Sequence, residues 1–169
     1  MEPYYRFPRP DSSPKSEETA RITANVLGIK KVLNEKVTTM VDLGCGRGYW
    51  ISAFSEKLPN LSTIFAVDYN ICQLLPNEIL GDSRVKPISG LMPGSLEVIP
   101  PLGPDGIALA SFVETAVFYT EKGIAELIRL IGGGLLIVAG DTPLDELALE
   151  KAGFEKGEVF PMLDTWRKK

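Results

Sequence analysis

Val41-Asp42-Leu43-Gly44-Cys45-Gly46-Arg47-Gly48-Tyr49-Trp50 is the stretch around which the chain is organised. The apolar run Thr39-Met40-Val41 to Leu43 enters it as a buried strand would, and glycines at alternate positions follow as a G-x-G-x-G turn. Tyr49-Trp50-Ile51-Ser52-Ala53-Phe54 can then open a helix. Strand, glycine turn and helix form the first half of a nucleotide-binding βαβ unit. Glycine has no Cβ, so the backbone can turn sharply and come close to a ligand. The helix N-terminus beyond the turn offers unpaired N–H groups and a partial positive charge.

Upstream of this stretch, Ser16 to Leu33 reads as an amphipathic helix capped by Ser16 or Ser13, with Ile22, Val26, Ile29 and Leu33 at helical spacing. Residues 1–15, rich in proline, aromatics and serine, read as an extended arm that either covers the domain or forms a loose terminus. Downstream, a helix from Tyr49 to Lys57 stops before Pro59-Asn60, and Ser62 to Val67 forms a second strand ending in Asp68. A short helix follows at Ile71 to Leu75, broken by Pro76. Arg84 to Ile88 suits a third strand that Pro87 either weakens or places at the sheet edge. A proline- and glycine-rich loop, Gly90 to Pro104, contains one helical turn at Ser95 to Val98.

The alternation then continues. Gly106 to Ala110 is a fourth strand, Phe112 to Tyr119 is partly helical, and Glu121 to Ile131 is a helix with Ile124, Leu127, Ile128 and Ile131 on one face. Leu135 to Ala139 is a fifth strand, Pro143 to Ala152 a helix, and Phe154 to Arg167 one or two strands that can pair as a hairpin. Alternating helices and continuous apolar strands predict an α/β fold: a doubly wound, mostly parallel sheet with helices on both faces and an antiparallel C-terminal strand. Residues 16–169 form a single domain on this reading, with no internal repeat or linker. Ligands of such sheets lie beyond the strand C-terminal ends, where strand order reverses, and the glycine turn belongs there.

Composition bounds the chemistry. The chain has 169 residues, 44% of them apolar and 24% charged, which suits one globular domain. Eighteen basic and 22 acidic residues give a net charge of −4, unfavourable for nonspecific binding to nucleic-acid phosphates. There is no histidine, so no imidazole of this chain can serve as base or metal ligand. Cys45 and Cys72 are too few and too far apart for a zinc site or a disulfide framework. The first ten residues lack the apolar run of a signal peptide, and no stretch approaches the ~20 apolar residues of a membrane span. These features predict a cytoplasmic protein.

Which nucleotide the turn holds follows from three positions. A dinucleotide fingerprint, G-x-G-x-x-G, would need glycine at residue 49, which is tyrosine, and a P-loop would need a Gly-Lys-Ser/Thr ending, which is absent. Asp42, two residues before the first glycine, is unwelcome beside a pyrophosphate but suits a cationic amine; it can also be a carboxylate that stabilises the turn. Asp68 ends the second strand, where an acidic side chain reaches ribose hydroxyls or caps the strand end. A positively charged nucleoside without phosphate fits all three.

Asp42-x-Gly44-x-Gly46-x-Gly48 with Asp68 resembles the class I S-adenosylmethionine-dependent methyltransferases. Asp105 to Ala110 is similar to that superfamily's fourth strand, Ile131 to Val138 to its helix, glycine turn and fifth strand, and Lys151-Ala152-Gly153-Phe154 to the turn before its sixth. The resemblance covers residues 16–169. It implies S-adenosyl-L-methionine as cofactor, contacted by Asp42, Gly44, Cys45, Gly46, Gly48, Asp68, Tyr69, Ser89 and Ser111. In these roles the glycines approach the methionine and ribose portions, Asp42 lies near the amine directly or through water, and Asp68 accepts the ribose hydroxyls. Tyr69 lies along the adenine or simply packs. The superfamily's acidic residue after the third strand is missing: the region reads Ile88-Ser89-Gly90-Leu91, where Ser89 or the backbone stands in.

The implied reaction is in-line methyl transfer to a small-molecule or protein acceptor. The cofactor carries the activated methyl, so the protein chiefly supplies alignment and a dry site, and a base is needed only if the acceptor must lose a proton early. The acceptor should approach the end of the fourth strand, where Glu114 either orients it or is a solvated helix-start carboxylate. Asp141 borders the pocket or, preferably, caps the helix after Pro143; no metal is implied, because Ser111-Phe112 offers no ligand to complement it. The Asn/Asp-Pro-Pro-Tyr and Pro-Cys signatures of DNA methyltransferases are absent. The glycine turn is somewhat similar to the first motif of RNA ribose methyltransferases, but their lysine-aspartate-lysine-glutamate set is not evident, so nucleic acid is not favoured. With no inserted substrate module, a partner chain could complete specificity. The competing readings are a noncatalytic cofactor-binding subunit or scaffold and an aminopropyltransferase-like enzyme.

Overall fold

The apolar runs either side of the glycine turn become neighbouring strands of one sheet. The computed structural model of the protein describes residues 14–29, 33, 35–111, 116–139, 142–157 and 163–169. Among them are strands β1 (Thr39–Leu43), β2 (Thr63–Asp68), β3 (Val85–Ser89), β4 (Gly106–Ser111), β5 (Leu135–Ala139), β6 (Phe154–Lys156) and β7 (Leu163–Lys168). Their spatial order is β3-β2-β1-β4-β5-β7-β6. β1 to β5 pair in parallel, and β7 runs antiparallel to both β5 and β6. Strand order reverses between β1 and β4, so the turn after β1 sits at the switch point.

Successive side chains of a strand point to opposite faces, and both faces here are covered. Met40, Ile64, Ala66, Ile107, Leu109 and Ile137 meet α1 (Pro14–Ile29) and α2 (Tyr49–Lys57). Val41, Leu43, Val67, Ala108, Leu136 and Val138 meet α5 (Glu121–Ile131) and α6 (Glu146–Lys151) on the other side. Two short helices, α3 (Ile71–Leu74) and α4 (Asn77–Leu80), lie between β2 and β3. Pro87 is on β3, an edge strand, where a missing N–H costs no ladder bond. Among the described residues no helix is long and apolar enough to cross a membrane.

The sequence places α2, α5 and β5 at their observed limits, because each carries a strong period and a glycine or proline boundary. Three expectations need correction. The first helix begins at Pro14, inside the expected arm, and turns Ala20, Ala24 and Leu27 inward, while Ile22 is half exposed. Ile22 and Ala20 are two residues apart, about 200° around a helix, so Ile22 lies nearly opposite the packed face, whereas Leu33, also expected inward, is buried with Ala20, Ala24 and Leu27. Alanines carry little apolar signal, yet they belong to the cluster that includes Trp50, Ile51 and Phe54 of α2.

The sixth helix starts at Glu146 rather than at Pro143, because the Asp145 side chain caps it by accepting from the Ala148 N–H at 3.0 Å. The expected cap, Asp141, lies outside the described residues, as do residues 1–13 of the arm. The Gly90–Pro104 loop, finally, is well anchored. Its one helical turn is at Gly94–Leu96, and Leu96, Ile99 and Leu102 are buried. Arg129 of α5 donates to the Leu96 and Ile99 carbonyls at 2.8 and 3.0 Å.

Candidate functional site at the end of β1

Gly44, Gly46 and Gly48 have φ of 76°, 49° and 75°. Left-handed backbone at alternate residues explains why glycine recurs there: a Cβ would clash with its own chain. The turn is fastened to β2. The Gly44 and Cys45 N–H groups both donate to the Val67 carbonyl, at 2.9 and 3.0 Å, and the Gly48 N–H donates to the Cys45 carbonyl at 2.8 Å. Asp68 completes the fastening: Oδ2 accepts from the Gly46 N–H at 2.9 Å and Oδ1 from the Tyr69 N–H at 2.6 Å. A carboxylate has roughly four lone-pair sites, so each oxygen can still accept from a ligand hydroxyl.

The glycines differ in what surrounds them. A Cβ on Gly48 would stand 2.5 Å from Cδ1 of Ile79 and 2.9 Å from Cδ2 of Leu75, so this glycine lets the segment after β2 close against the turn. A Cβ on Gly46 would meet nothing within 4 Å. The turn is therefore packed on one side and open on the other. Sequence reasoning missed the Ile79 wall because it stopped at Pro76; proline just before Asn77-Glu78 was the available signal for a new helix.

Asp42 is the electrostatic centre of the site. It pairs in register with Ala66 and Leu109, which belong to the α1/α2 face, so its side chain lies on that face. It has no exposed surface, and neither carboxylate oxygen has a hydrogen-bond partner. Burial, with a smaller push from the charge of Asp68, drives its pKa up to about 8. Burial first, then Asp42 and Asp68, also pushes the Cys45 thiol far up, so Cys45 is no nucleophile and contributes through its backbone. Ser111 ends β4 on the same face as Leu109, and its buried Oγ likewise has no partner.

Tyr69 is half exposed beside Asp68. Ser89 Oγ donates to the Tyr69 carbonyl at 3.0 Å and the Gly90 N–H to the Asp68 carbonyl at 3.0 Å, which ties the end of β3 to that of β2. The structure thus gathers Asp42, Gly44, Cys45, Gly46, Gly48, Asp68, Tyr69 and Ser89 around one strand end, with Ser111 one strand away. Glu114 and Asp141 lie outside the described residues. Thr142 was not foreseen as a strut: its hydroxyl donates toward the Ala139 and Ala110 carbonyls, at 3.2 and 3.4 Å, bracing the ends of β5 and β4.

No group of three or more Cys, Asp or Glu side chains among the described residues could hold a metal ion. A cavity of about 210 Å³ lined by Lys36, Asp105, Ile107, Leu135 and Arg167 lies at the amino ends of β1, β4 and β5, remote from the glycine turn. For an S-adenosylmethionine-like ligand the chain offers a good match: an open face over Gly46, an acid with spare acceptor capacity at Asp68, and a bare buried acid at Asp42.

Residues 24–91 match the family model described as FtsJ-like methyltransferase, a span holding β1, the turn, Asp68 and Ser89 but less than half of the chain. No curated protein sequence matches the chain. Among solved structures, it is similar to a precorrin-6y C5,15-methyltransferase from Geobacter metallireducens GS-15, with TM-score 0.61 and 19% identity over 85% of this chain and 87% of that one. An O-methyltransferase from neocarzinostatin biosynthesis, in complex with S-adenosylmethionine and 2-hydroxy-5-methyl naphthoic acid, aligns with TM-score 0.54 and 17% identity over 91% of this chain and 57% of that one. A riboflavin-analogue dimethyltransferase from Streptomyces davawensis aligns with TM-score 0.56 and 14% identity over 93% of this chain and 60% of its own. The chain spans under two thirds of the length of these last two proteins.

Proposed function

We propose that this chain, which shares the fold of the class I methyltransferase superfamily and matches the FtsJ-like methyltransferase model over residues 24–91, is an S-adenosylmethionine-dependent methyltransferase acting on a small-molecule or protein acceptor. The observation that carries the proposal is the pairing of two unlike acids at the switch point. Asp68 is held by two backbone N–H groups with acceptor capacity left over, and Asp42 is buried and bare. Between them the turn presents the open face of Gly46.

In this reading Asp68 accepts the ribose hydroxyls, Asp42 faces the amine of the methionine portion, and Tyr69 lies along the adenine. Gly44, Cys45, Gly46 and Ser111 border the methionine portion, Gly48 shapes the turn, and Ser89 braces the adenine side. The cofactor, when bound, supplies a methyl group already activated on a sulfonium. The chain's residues then have to orient it and exclude water rather than generate a nucleophile. The acceptor enters beyond β4, where we assign Glu114 to orient it or take its proton. A partner chain that completes acceptor specificity is also part of the proposal.

Calorimetry with S-adenosylhomocysteine and S-adenosylmethionine tests the cofactor. Binding in the micromolar range is expected, and no heat at ~1 mM ligand would sink the proposal. Transfer of a labelled methyl from the cofactor into small-molecule and protein fractions of a cell extract then separates an enzyme from a noncatalytic binding subunit.

A further inference from the structure

Asp42 and Asp68 stand at neighbouring strand ends, yet only Asp68 is satisfied. Asp68 holds two N–H donors. Asp42 has none, is wholly enclosed, and is flanked in the sheet by Ala66 and Leu109. An isolated carboxylate removed from water without a partner costs far more than a neutral acid does, and the usual escape is to keep the proton. The groups around it offer no other escape. From β2 comes only the like charge of Asp68, and from the turn only the thiol of Cys45. α1 turns Ala20, Ala24 and Leu27 inward and leaves Glu17, Glu18 and Arg21 exposed. α2 turns Trp50, Ile51, Ala53 and Phe54 inward, leaves Glu56 and Lys57 exposed, and holds Tyr49 half-buried. β4 adds Ser111, whose Oγ is unpaired too. Among the described residues no cation faces Asp42.

We propose that Asp42 is a neutral acid in the free protein and gives its proton to solvent when the protonated amine of the methyl donor docks beside it, so that ligand binding and proton release are one event. The inference rests on the methyl-donor reading above. The balance is simple: a carboxylic acid and an ammonium enter, a carboxylate–ammonium pair remains, and one proton leaves to buffer. Asp42 thereby becomes a specificity residue. A ligand with the amine supplies the charge that makes ionisation favourable, whereas an adenine thioether nucleoside lacking the amino-acid end leaves Asp42 protonated.

The test is calorimetry of S-adenosylhomocysteine binding in buffers of different ionisation enthalpy, with wild type and Asp42→Asn. With a folded pKa of about 8, wild type should release about 0.9 proton per ligand at pH 7. Asp42→Asn keeps the shape of the neutral acid; it should release none and bind at least ~10-fold more weakly, the loss of a charge-assisted contact. The nucleoside without the amine should release none from either protein. Wild-type binding without proton release, or equal release from the variant, would overturn this inference and leave the methyl-donor reading standing. Absence of any S-adenosylhomocysteine binding would overturn that reading. Infrared spectra of the free wild-type protein give an independent measure: a protonated-carboxyl band at pH 7 that disappears on ligand addition is expected, and a free protein without that band refutes the inference whatever the ligand does.

Discussion

Two glycine-rich turns in this molecule look alike in sequence and serve opposite ends. Gly132-Gly133-Gly134, between α5 and β5, is tightly packed at its first and last glycines. A Cβ on Gly132 would stand 2.6 Å from the Leu102 carbonyl, and one on Gly134 would stand 2.7 Å from the Gly106 carbonyl. The Gly133 N–H also donates to the Leu102 carbonyl at 2.9 Å. Gly44 to Gly48, between β1 and α2, has positive φ at all three glycines where the other turn has it only at Gly132, and a Cβ on its central glycine would meet nothing within 4 Å. The comparison teaches that glycine richness marks close approach without saying of what. At the first turn the side beyond Gly46 is open, and there we propose that the methyl donor sits; at the second the occupant is the chain's own backbone.

Breaking the packed turn should have the largest effect. Gly134→Val must push a branched side chain into the Gly106 carbonyl, and overpacking of this kind should cost about 3 kcal/mol or more in a denaturant titration. Stability like that of wild type would show that the turn has slack. On the open turn the larger effect should be on binding. Asp68→Ala removes charge-assisted hydrogen bonds worth about 1.5–3 kcal/mol each, so affinity for S-adenosylhomocysteine should fall at least ~10-fold by calorimetry. Unchanged affinity would take Asp68 out of the site.

Asp42 gives the open turn a dependence on pH that the packed one lacks. Its folded pKa is raised from 3.8 to about 8. Above pH 3.8 the unfolded chain ionises while the folded acid keeps its proton, so its stabilising contribution is complete below that pH and is lost as pH rises toward about 8. Between pH 6 and 7 wild type should lose up to about 1.4 kcal/mol relative to Asp42→Asn. Parallel stability profiles for the two proteins would refute a raised Asp42. The smallest expected effect on the fold is at Gly46→Ala. The left-handed φ of 49° should cost about 1 kcal/mol, or a fall of about 2–4 °C in Tm, because no protein atom opposes the new methyl. Affinity should fall by more than that strain explains; an unchanged Kd would place the ligand elsewhere.

Much of the fold could be read from local pattern. β5 is an unbroken apolar run, α5 repeats its large residues at helical spacing after a Thr120 cap that accepts from the Gly123 N–H, and Gly48 marks the start of α2. Where the reading failed, contact rather than pattern decided. The inward face of α1 is drawn by alanines that pack near α2, a preference invisible in hydrophobicity alone. The start of α6 was settled by which aspartate could reach an N–H, Asp145 at 3.0 Å from Ala148. α4 and the Ile79 wall behind Gly48 came from a four-residue helix too short to carry a period.

The same division holds at the site. The amino-acid sequence alone determined that a strand, a left-handed glycine turn and a helix would come in succession, with acids at residues 42 and 68, because backbone conformation and side-chain alternation are local properties. Only the tertiary structure decided that Asp68 would be satisfied by the Gly46 and Tyr69 N–H groups while Asp42 would be enclosed with no partner. Whether an acid meets water, a donor or neither depends on residues far away in the chain, brought together by α1, α2 and the neighbouring strands. That difference in surroundings is what turns two similar carboxylates into one held by two N–H donors and one buried with none.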